Sequence, residues 1–519
     1  MKKLLLILLL SSLSYMESAK ILALFATPSP SHQMVFRSLT LELARRGHEL
    51  VVITPSPAFK ENEAPENYKE ISVRNKSQEA WKKKPINSGL SGESAAKIVL
   101  GAQVEIVNAL FFEYLKSDDV KRLIEDANAK FDLLILEGWF RPSIAFAYKF
   151  KIPVIRFSSF GTGFNEYENI GTGRHPILNP SIFSTKLNDN TFWREVSLLY
   201  DSFFHANLHK CNDYKNDVHL RQYFGADLPS LRELMKNVDI FLVNVHRIWE
   251  MYVPTPLSVV HVGGIHLNAE KKLPEDLKSY LDSLSNDVIY ISFGTNVETS
   301  WLPAKQLNIM VEVLSSLPYQ VIWKWNEDEL PGRTENINIS KWLPQEALLK
   351  HPKVKLFITH GGLQSTQEAI AAAVPLLGMP LNIDQFYNVE TYIKLKIGLR
   401  ADLKTLTKEQ FRHGVNTILK DKSYHENVVA LRARLHDQPQ NPVQRAAWWT
   451  EHVLRYGGGH LRAPAAGMHW ARYHELDLIA ILVAILIITV ILTAICIYYS
   501  LTFLSMYLKK FLVDIIVFK

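Results

Sequence analysis

An apolar run from Lys355 to Thr359 ends in His360-Gly361-Gly362, and a helical pattern opens about Ser365. Glycines let a backbone approach a ligand closely, and a helix N-terminus presents unpaired N–H donors with partial positive charge. Together they make a cradle for a diphosphate, to which His360 adds a donor of its own. Glu368 stands three residues after Ser365, so the pair also fits the Ser-x-x-Glu pattern in which the carboxylate only caps its helix. The chemical reading of Glu368 is an acceptor for ribose hydroxyls, a contact dinucleotide sites use. Asp384 has a plain structural role open to it as the N-cap of the helix that follows Ile383. Upstream, Trp342 offers a ring to stack on a base, and Gln345 an amide for the base edge. Ser292, Gly294 and Thr295 form a second glycine turn at a strand end, with hydroxyls suited to phosphate oxygens.

These residues need a scaffold that brings strand ends together. Ile21 to Ala26 reads as a buried strand, Thr27 to Ser31 as a loop, Met34 to Gly47 as a helix and Glu49 to Thr54 as a second strand. That βαβ unit implies a parallel sheet with ligands at the carboxyl ends of its strands. A further strand is expected at Leu133 to Leu136 and another at Val154 to Ser158, with a helix between. A second series follows in "DVIYISFGT", "YQVIWKW", "VKLFITHGG" and "VPLLGMP", separated by helical patterns. The fold class expected is α/β, with two facing Rossmann-like doubly wound domains at 20–265 and 286–455. The charged, proline-containing stretch 266–285 reads as a surface linker, and 456–477 as a juxtamembrane segment. A cleft between two such domains is the expected ligand site.

The ends of the 519-residue chain read as targeting and anchoring signals. Lys2-Lys3, an apolar run and small residues to Ala19 predict a signal peptide over 1–19. No charge occurs between Asp477 and Lys509, so a transmembrane helix is expected over 478–504. Lys509 and Lys510 follow it, which by the positive-inside tendency places the tail 505–519 in the cytosol and the body in a lumen. The two cysteines, Cys211 and Cys496, cannot form a plausible internal disulfide, since Cys496 lies within the span. No Cys/His cluster has metal-site spacing and no Asp-x-Asp occurs. A formal charge of +6 over this length gives no support for nucleic-acid binding. Asn75 and Asn338 open glycosylation sequons, provided their loops are exposed.

Taken in order, Trp342-Leu343-Pro344-Gln345, His351-Pro352, the His360-Gly361-Gly362 turn with Ser365 and Glu368, and Pro380 followed by Asp384-Gln385 resemble the signature of the membrane-bound UDP-glycosyltransferases of animals. The resemblance extends over nearly the whole chain, including "DQPQNPVQRAAWWTEHVLRYGGGHLR", and "GGLQSTQEA" looks more like the insect branch. It implies a GT-B arrangement and a UDP-sugar co-substrate, with UDP-glucose favoured over UDP-glucuronate and no further cofactor or metal. Carried over by motif, Trp342 would stack on uracil and Gln345 sit at the nucleotide. His360, Gly362, Ser365 and Thr295 would hold the diphosphate, Glu368 the ribose, and Asp384 with Gln385 the sugar hydroxyls. His32, after the first strand, would be the general base of an inverting transfer to a small lipophilic acceptor bearing a hydroxyl. Glu137 stands where the family carries an aspartate as partner of that base, a departure that leaves its reach to His32 open. The alternative for Glu137 is a strand-end residue facing water.

The resemblance also implies the endoplasmic reticulum membrane, in single-pass type I orientation, and homo-oligomers among relatives. The aromatic-rich segment "FWREVSLLYDSFFHANLHKCNDYKNDVHLRQYF" reads as helical and could line an apolar pocket, lie against the membrane or pack in the core. Two other functions compete. A catalytically silent membrane-anchored carrier or receptor would keep the cleft, and a nucleoside-diphosphate hydrolase would release UDP without an acceptor.

Overall fold

A computed structural model describes residues 18–60, 62–82, 93–162, 166, 169–172, 175–184, 191–251, 253–267, 271–297 and 302–517. The expected signal peptide therefore lies almost wholly outside the described residues. Up to Ala466 the chain forms one compact unit, and Gly467–Lys519 forms a second.

The first unit holds two parallel sheets. Strands β1 (Lys20–Leu24), β2 (Glu49–Thr54), β3 (Tyr68–Ser72), β4 (Leu133–Glu137), β5 (Val154–Ser158), β6 (Ile240–Val243) and β7 (Val259–His261) assemble in the order β3-β2-β1-β4-β5-β6-β7. Strands β8 (Val288–Ser292), β9 (Gln320–Lys324), β10 (Ile337–Ser340), β11 (Val354–Thr359), β12 (Leu376–Gly378) and β13 (Gly398–Arg400) assemble as β10-β9-β8-β11-β12-β13. Most of these strands are apolar on both faces because helices cover both sides of a parallel sheet, so they read as continuous runs without alternation. In each sheet the order reverses beside its first strand, between β1 and β4 and between β8 and β11. Ligands of doubly wound folds bind at such switch points.

Seven helices matter for the site and its surroundings: α1 (Pro30–Arg45), α2 (Glu93–Leu115), α3 (Phe192–Phe224), α4 (Gln345–Leu349), α5 (Leu363–Ala371), α6 (Gln385–Lys394) and α7 (Pro442–Tyr456). Helix α1 starts at Pro30, four residues before the predicted Met34, because proline is preorganised for the first helical position. His32 consequently sits in the first turn of a helix and not in a loop. Helix α5 starts at Leu363 with Gly362 as N-cap, so Ser365 lies inside the first turn. Glu368 is then mid-helix, and the capping-box reading of Ser365 and Glu368 is overturned.

Two further expectations change. The stretch read as a surface linker contains a helix, Glu275–Ser283, whose Leu281 is fully buried among second-sheet residues. Its charged residues face outward while Leu281 packs inward. Helix α7, from the end of the region assigned to the second domain, packs against the first sheet. Its Ala446, Ala447 and Val453 are buried with Ile21, Leu50 and Ile155, and Glu451 bonds Arg46 of the α1 C-terminus at 3.1 Å.

The two sheets share an apolar cluster in which Phe241, Val243 and Trp249 meet Tyr387, Val389 and Tyr392. In the second unit, α8 (Leu476–Val517) is one continuous helix of 42 residues, apolar enough to cross a membrane. It runs through Lys509 and Lys510, whereas the sequence suggested a span ending at 504; lysine is a good helix former, so a change in hydropathy does not end the helix. Asn338 lies in strand β10 with its amide bonded to Tyr280, not in the exposed loop a glycosylation site would need. Asn75 is exposed.

Candidate active site

The first sheet contributes a loop strapped down on every side. Glu137, the last residue of β4, is fully buried, so it does not face water. One carboxylate oxygen accepts from the backbone N–H groups of Ala26 and Thr27, both at 2.9 Å, and the other accepts from the Thr27 hydroxyl. Gln33 donates to the carbonyls of Phe25 and Thr27 at 3.1 and 2.9 Å while accepting from Thr54 at 2.8 Å. Tyr114 donates to the Ala26 carbonyl at 2.7 Å. The loop from Phe25 to Ser29 therefore fixes the first turn of α1, and with it His32.

His32 Nδ1 lies 3.6 Å from the Glu137 carboxylate and 2.9 Å from the Ser159 hydroxyl. Ser159 follows the end of β5, the neighbour of β4 in the sheet. The closer hydrogen-bonding partner of His32 is thus Ser159, a residue that sequence reasoning missed and for which "RFSSF" gave no signal. The longer Glu side chain spends its oxygens mainly on the loop, yet one of them still stands behind the imidazole. His32 is about 20 % exposed and sits edge-on to Phe160, with ring centroids 5.6 Å apart.

In the second sheet, register brings the pieces level. Thr359 of β11 pairs with Ser292 of β8 and with Gly378 of β12, so the turns leaving β8 and β11 emerge side by side. Ser292 is buried and accepts from the Gly294 N–H at 3.3 Å; Thr295 beyond it is exposed. The His360 ring lies between two glycines. A Cβ at Gly294 or at Gly362 would come within 2.7 Å of it, and Gly294 has a φ of +81°. Burial, with the Lys324 ammonium a smaller cause, pushes the His360 imidazole down to about 4. It is neutral at pH 7 and offers an N–H as a donor.

Around α4 and α5 the nucleotide-side residues form one network. Gln345 donates to Ser365 Oγ at 2.9 Å and to Glu368 Oε2 at 2.6 Å, and accepts from the Tyr290 hydroxyl at 3.0 Å. Glu368 is 6 % exposed, and its burial pushes the carboxyl up to about 7 despite the Gln345 donor. His266, another residue sequence reasoning missed, sits 3.9 Å from Glu368. Trp342 is 65 % exposed, its ring free to receive a planar partner.

At the mouth of α6, Asp384 occupies the N-cap position without a side-chain cap bond, so the N-cap reading fails for its carboxylate. That carboxylate instead accepts from Asn388 Nδ2 at 2.9 Å. Burial pushes it up to about 6, partly offset by Asn388 and by the charge of His32 across the cleft. Gln385 turns its amide back onto its own loop, accepting from the N–H groups of Leu381 and Asn382 at 2.8 and 3.0 Å. Ile383, just before Asp384, is held at φ +49°, and such strain persists where surrounding bonds over-determine it. Asn388 also donates to the Gly361 carbonyl at 2.9 Å and accepts from Trp249 Nε1 at 2.9 Å. The second sheet's cradle is thereby tied to the first half of the chain. Asn296 to Ser29 at 3.0 Å and Gln364 to the Ser159 carbonyl at 2.9 Å make the same crossing.

The arrangement places an imidazole from one sheet opposite a neutral-donor phosphate cradle and two buried carboxylates from the other. Residues 19–510 match the family model described as "UDP-glucoronosyl and UDP-glucosyl transferase". The chain belongs to that family. It is a UDP-glycosyltransferase, and the carrier reading is not favoured. The transferase is 33 % identical over 503 residues to an ecdysteroid UDP-glucosyltransferase of Spodoptera littoralis nuclear polyhedrosis virus, covering 92 % of this chain and 96 % of the relative. It is 28 % identical over 482 residues to human UDP-glucuronosyltransferase 2B17, covering 87 % and 88 %. Among solved structures, the Arabidopsis thaliana UGT89C1 complexed with UDP-L-rhamnose superposes with a TM-score of 0.55 at 17 % identity, over 85 % of this chain and all of that one. The kitacinnamycin glycotransferase gives 0.54 at 19 %, over 84 % and 98 %. These likenesses identify the transferase fold as GT-B.

Proposed function

We propose that this transferase moves glucose from UDP-glucose to the hydroxyl of a small lipophilic acceptor, with inversion at the anomeric carbon and without a metal. The observation that carries the reading is His32 facing Asp384 across the cleft, beside the His360-Gly361-Gly362 turn. His32 Nε2 takes the acceptor's proton while Nδ1 is held by Ser159 and backed by Glu137. The acceptor oxygen forms its bond to the anomeric carbon as the bond to the diphosphate oxygen breaks. Charge developing on UDP meets the N–H donors at the start of α5, the His360 N–H and the Ser292-Phe293-Gly294-Thr295 turn. Trp342 stacks on uracil with Gln345 beside it, Glu368 accepts from the ribose, and Asp384 accepts from sugar hydroxyls. Gln385 then acts chiefly by shaping the loop that carries Asp384. Glucose as the donor sugar rests on the printed names of relatives such as the viral ecdysteroid UDP-glucosyltransferase and UDP-glucosyltransferase 2 of Dactylopius coccus, 30 % identical.

Helix α8 anchors the protein in the endoplasmic reticulum membrane with the catalytic body in the lumen. Its apolar length and the lysines near its end support that reading. Membranes carrying the full chain, given a simple phenol and separately UDP-glucose, UDP-glucuronate, UDP-galactose and UDP-N-acetylglucosamine, test the function. Conjugate should appear with UDP-glucose and vanish in His32→Ala. UDP binding with no conjugate from any donor, on the phenol and on a wider panel of lipophilic alcohols, would overturn the transfer reading, and UDP release without acceptor would point to a hydrolase.

A further inference from the structure

The first sheet holds a cavity that the mechanism above does not use. It lies between the ends of β4 and β5 and the helices α2 and α3, a cavity of about 30 Å³, room for a small terminal group, that is partly open to solvent. Gly138 and Ser158 on its wall are chain neighbours of Glu137 and Ser159, the two residues standing behind His32. Trp139 forms another part of the wall and touches Phe160 at 5.0 Å between ring centroids; Phe160 in turn touches His32. A ligand whose hydroxyl reaches His32 along Phe160 would extend its far end here.

The charged groups at this cavity are already matched. Arg141 donates to Asp213, with Nε to Oδ1 at 3.0 Å, and to Glu166 at 3.2 Å, while Arg156 bonds Glu166 and the Gly138 carbonyl. Two guanidinium groups face two carboxylates, so the cluster gives no net charge to attract an ion. Two neutral amides are left over. Asn108 of α2 and Asn216 of α3 line the cavity at 8 % and 5 % exposure, and no side-chain amide bond of either is found among the described residues; their polar atoms keep contact with the open space of the cavity. Asn212, one turn before Asn216, is by contrast spent on the Leu208 carbonyl at 2.8 Å. An amide that opens only onto a narrow cavity is free to bond whatever polar group enters it, as donor through its NH₂ and as acceptor through its oxygen.

We propose that Asn108 and Asn216 form a subsite for a second, neutral oxygen on the acceptor, a hydroxyl or ketone remote from the hydroxyl that is glycosylated. The amides supply donor and acceptor, the matched charges exclude an anion or a cation, and Trp139, Phe183 and Phe241 pack the carbon skeleton between the two ends. This inference rests on the transferase reading and narrows its acceptor class from simple phenols to lipophilic molecules with two separated oxygens. A site built to bond a hydroxyl discriminates strongly against the analogue lacking it, because its own polar groups are then left unpaired.

The test uses the full chain in membranes with UDP-glucose and two matched acceptor pairs of different length. These are 4-(3-hydroxypropyl)phenol against 4-propylphenol, and estradiol against its 17-deoxy analogue. In at least one pair the acceptor with two oxygens should show a kcat/KM at least tenfold above its partner. Asn108→Leu or Asn216→Leu should cut that ratio at least threefold, a comparison in which differences in membrane partition cancel. Where a leucine variant has lost stabilisation by UDP and so has not folded, Asn108→Ala or Asn216→Ala is read instead. Conjugation of both members of each pair at equal efficiency, or ratios that survive both substitutions, would overturn the subsite while leaving the transferase intact. No conjugate from any acceptor would instead count against the transfer reading.

Discussion

Glu368 carries the prediction that can be worked furthest. Its carboxyl is 6 % exposed and is pushed up to about 7 from 4.5, mainly by burial. Below pH 4.5 it is protonated in the folded and unfolded chains alike, and the stability it permits is fully present. As pH rises, the unfolded chain ionises first, and folding loses about 1.4 kcal/mol per pH unit until the folded pKa near 7 is passed, a loss of about 3 kcal/mol in all. Glu368→Gln keeps an oxygen for the Gln345 donor but never ionises. It should match the wild type near pH 4.5 and exceed it by about 3 kcal/mol at pH 8.5, less a small cost for rearranged hydrogen bonds. Urea unfolding of the solubilised chain, followed by tryptophan fluorescence at five pH values across that range, measures the difference. The same variant should bind UDP-glucose at least tenfold more weakly if the ionised carboxylate accepts from the ribose. Calorimetry at pH 6 in two buffers of different ionisation enthalpy should then show proton release on binding in the wild type and none in the variant. A stability difference that stays constant with pH, or a variant less stable at pH 8.5, would refute the reasoning.

Three further outcomes follow from the geometry. Glu137→Gln, with UDP binding unchanged, should lower turnover at least tenfold, and Ser159→Ala severalfold, since the first loses the charge behind His32 and the second its closer hydrogen bond; initial rates at saturating donor check both. Gly294→Ala forces a side chain to 2.7 Å from His360 at a φ of +81°, and should cost about 1–2 kcal/mol of stability and at least tenfold in UDP affinity, read by thermal unfolding with and without UDP. Trp249→Phe leaves the Asn388 oxygen without its donor and should destabilise the fold by about 1–3 kcal/mol while weakening UDP-glucose binding severalfold, as denaturation and calorimetry would show.

Much of this is legible in the amino-acid sequence. Strands such as Glu49–Thr54 and Val154–Ser158 announce themselves because burial on both faces favours apolar runs, interrupted in the second only by Arg156 and Ser158. The glycine turns at Gly294 and Gly361-Gly362 are readable for a related reason: few other residues accept the backbone and the nearby ring or ligand. What escaped were choices settled by partners distant in sequence. Nothing local distinguishes Ser159 as the bonding partner of His32, or shows that Trp249 reaches Asn388. Gln385 was a ligand residue by the family motif, yet two backbone N–H groups of its own loop had first claim on its oxygen. Asn388 went unread as well, although its place four residues after Asp384 on a helix puts both side chains on one face.

The return of α7 bears on how the chain reaches this state during synthesis. The first sheet is complete once His261 has left the ribosome, and α1 covers part of this face, but the patch beside it that takes Ala446, Ala447 and Val453 stays open until residues 442–456 emerge. At about 5–20 residues per second that interval lasts roughly 10–35 s. For that time a half-finished layer of aliphatic side chains around Ile21, Leu50 and Ile155 stands open while a second sheet of similar composition is being made. Protection of the nascent chain is therefore needed between those two points, and a stop codon anywhere before Pro442 would damage the half of the molecule that was translated first.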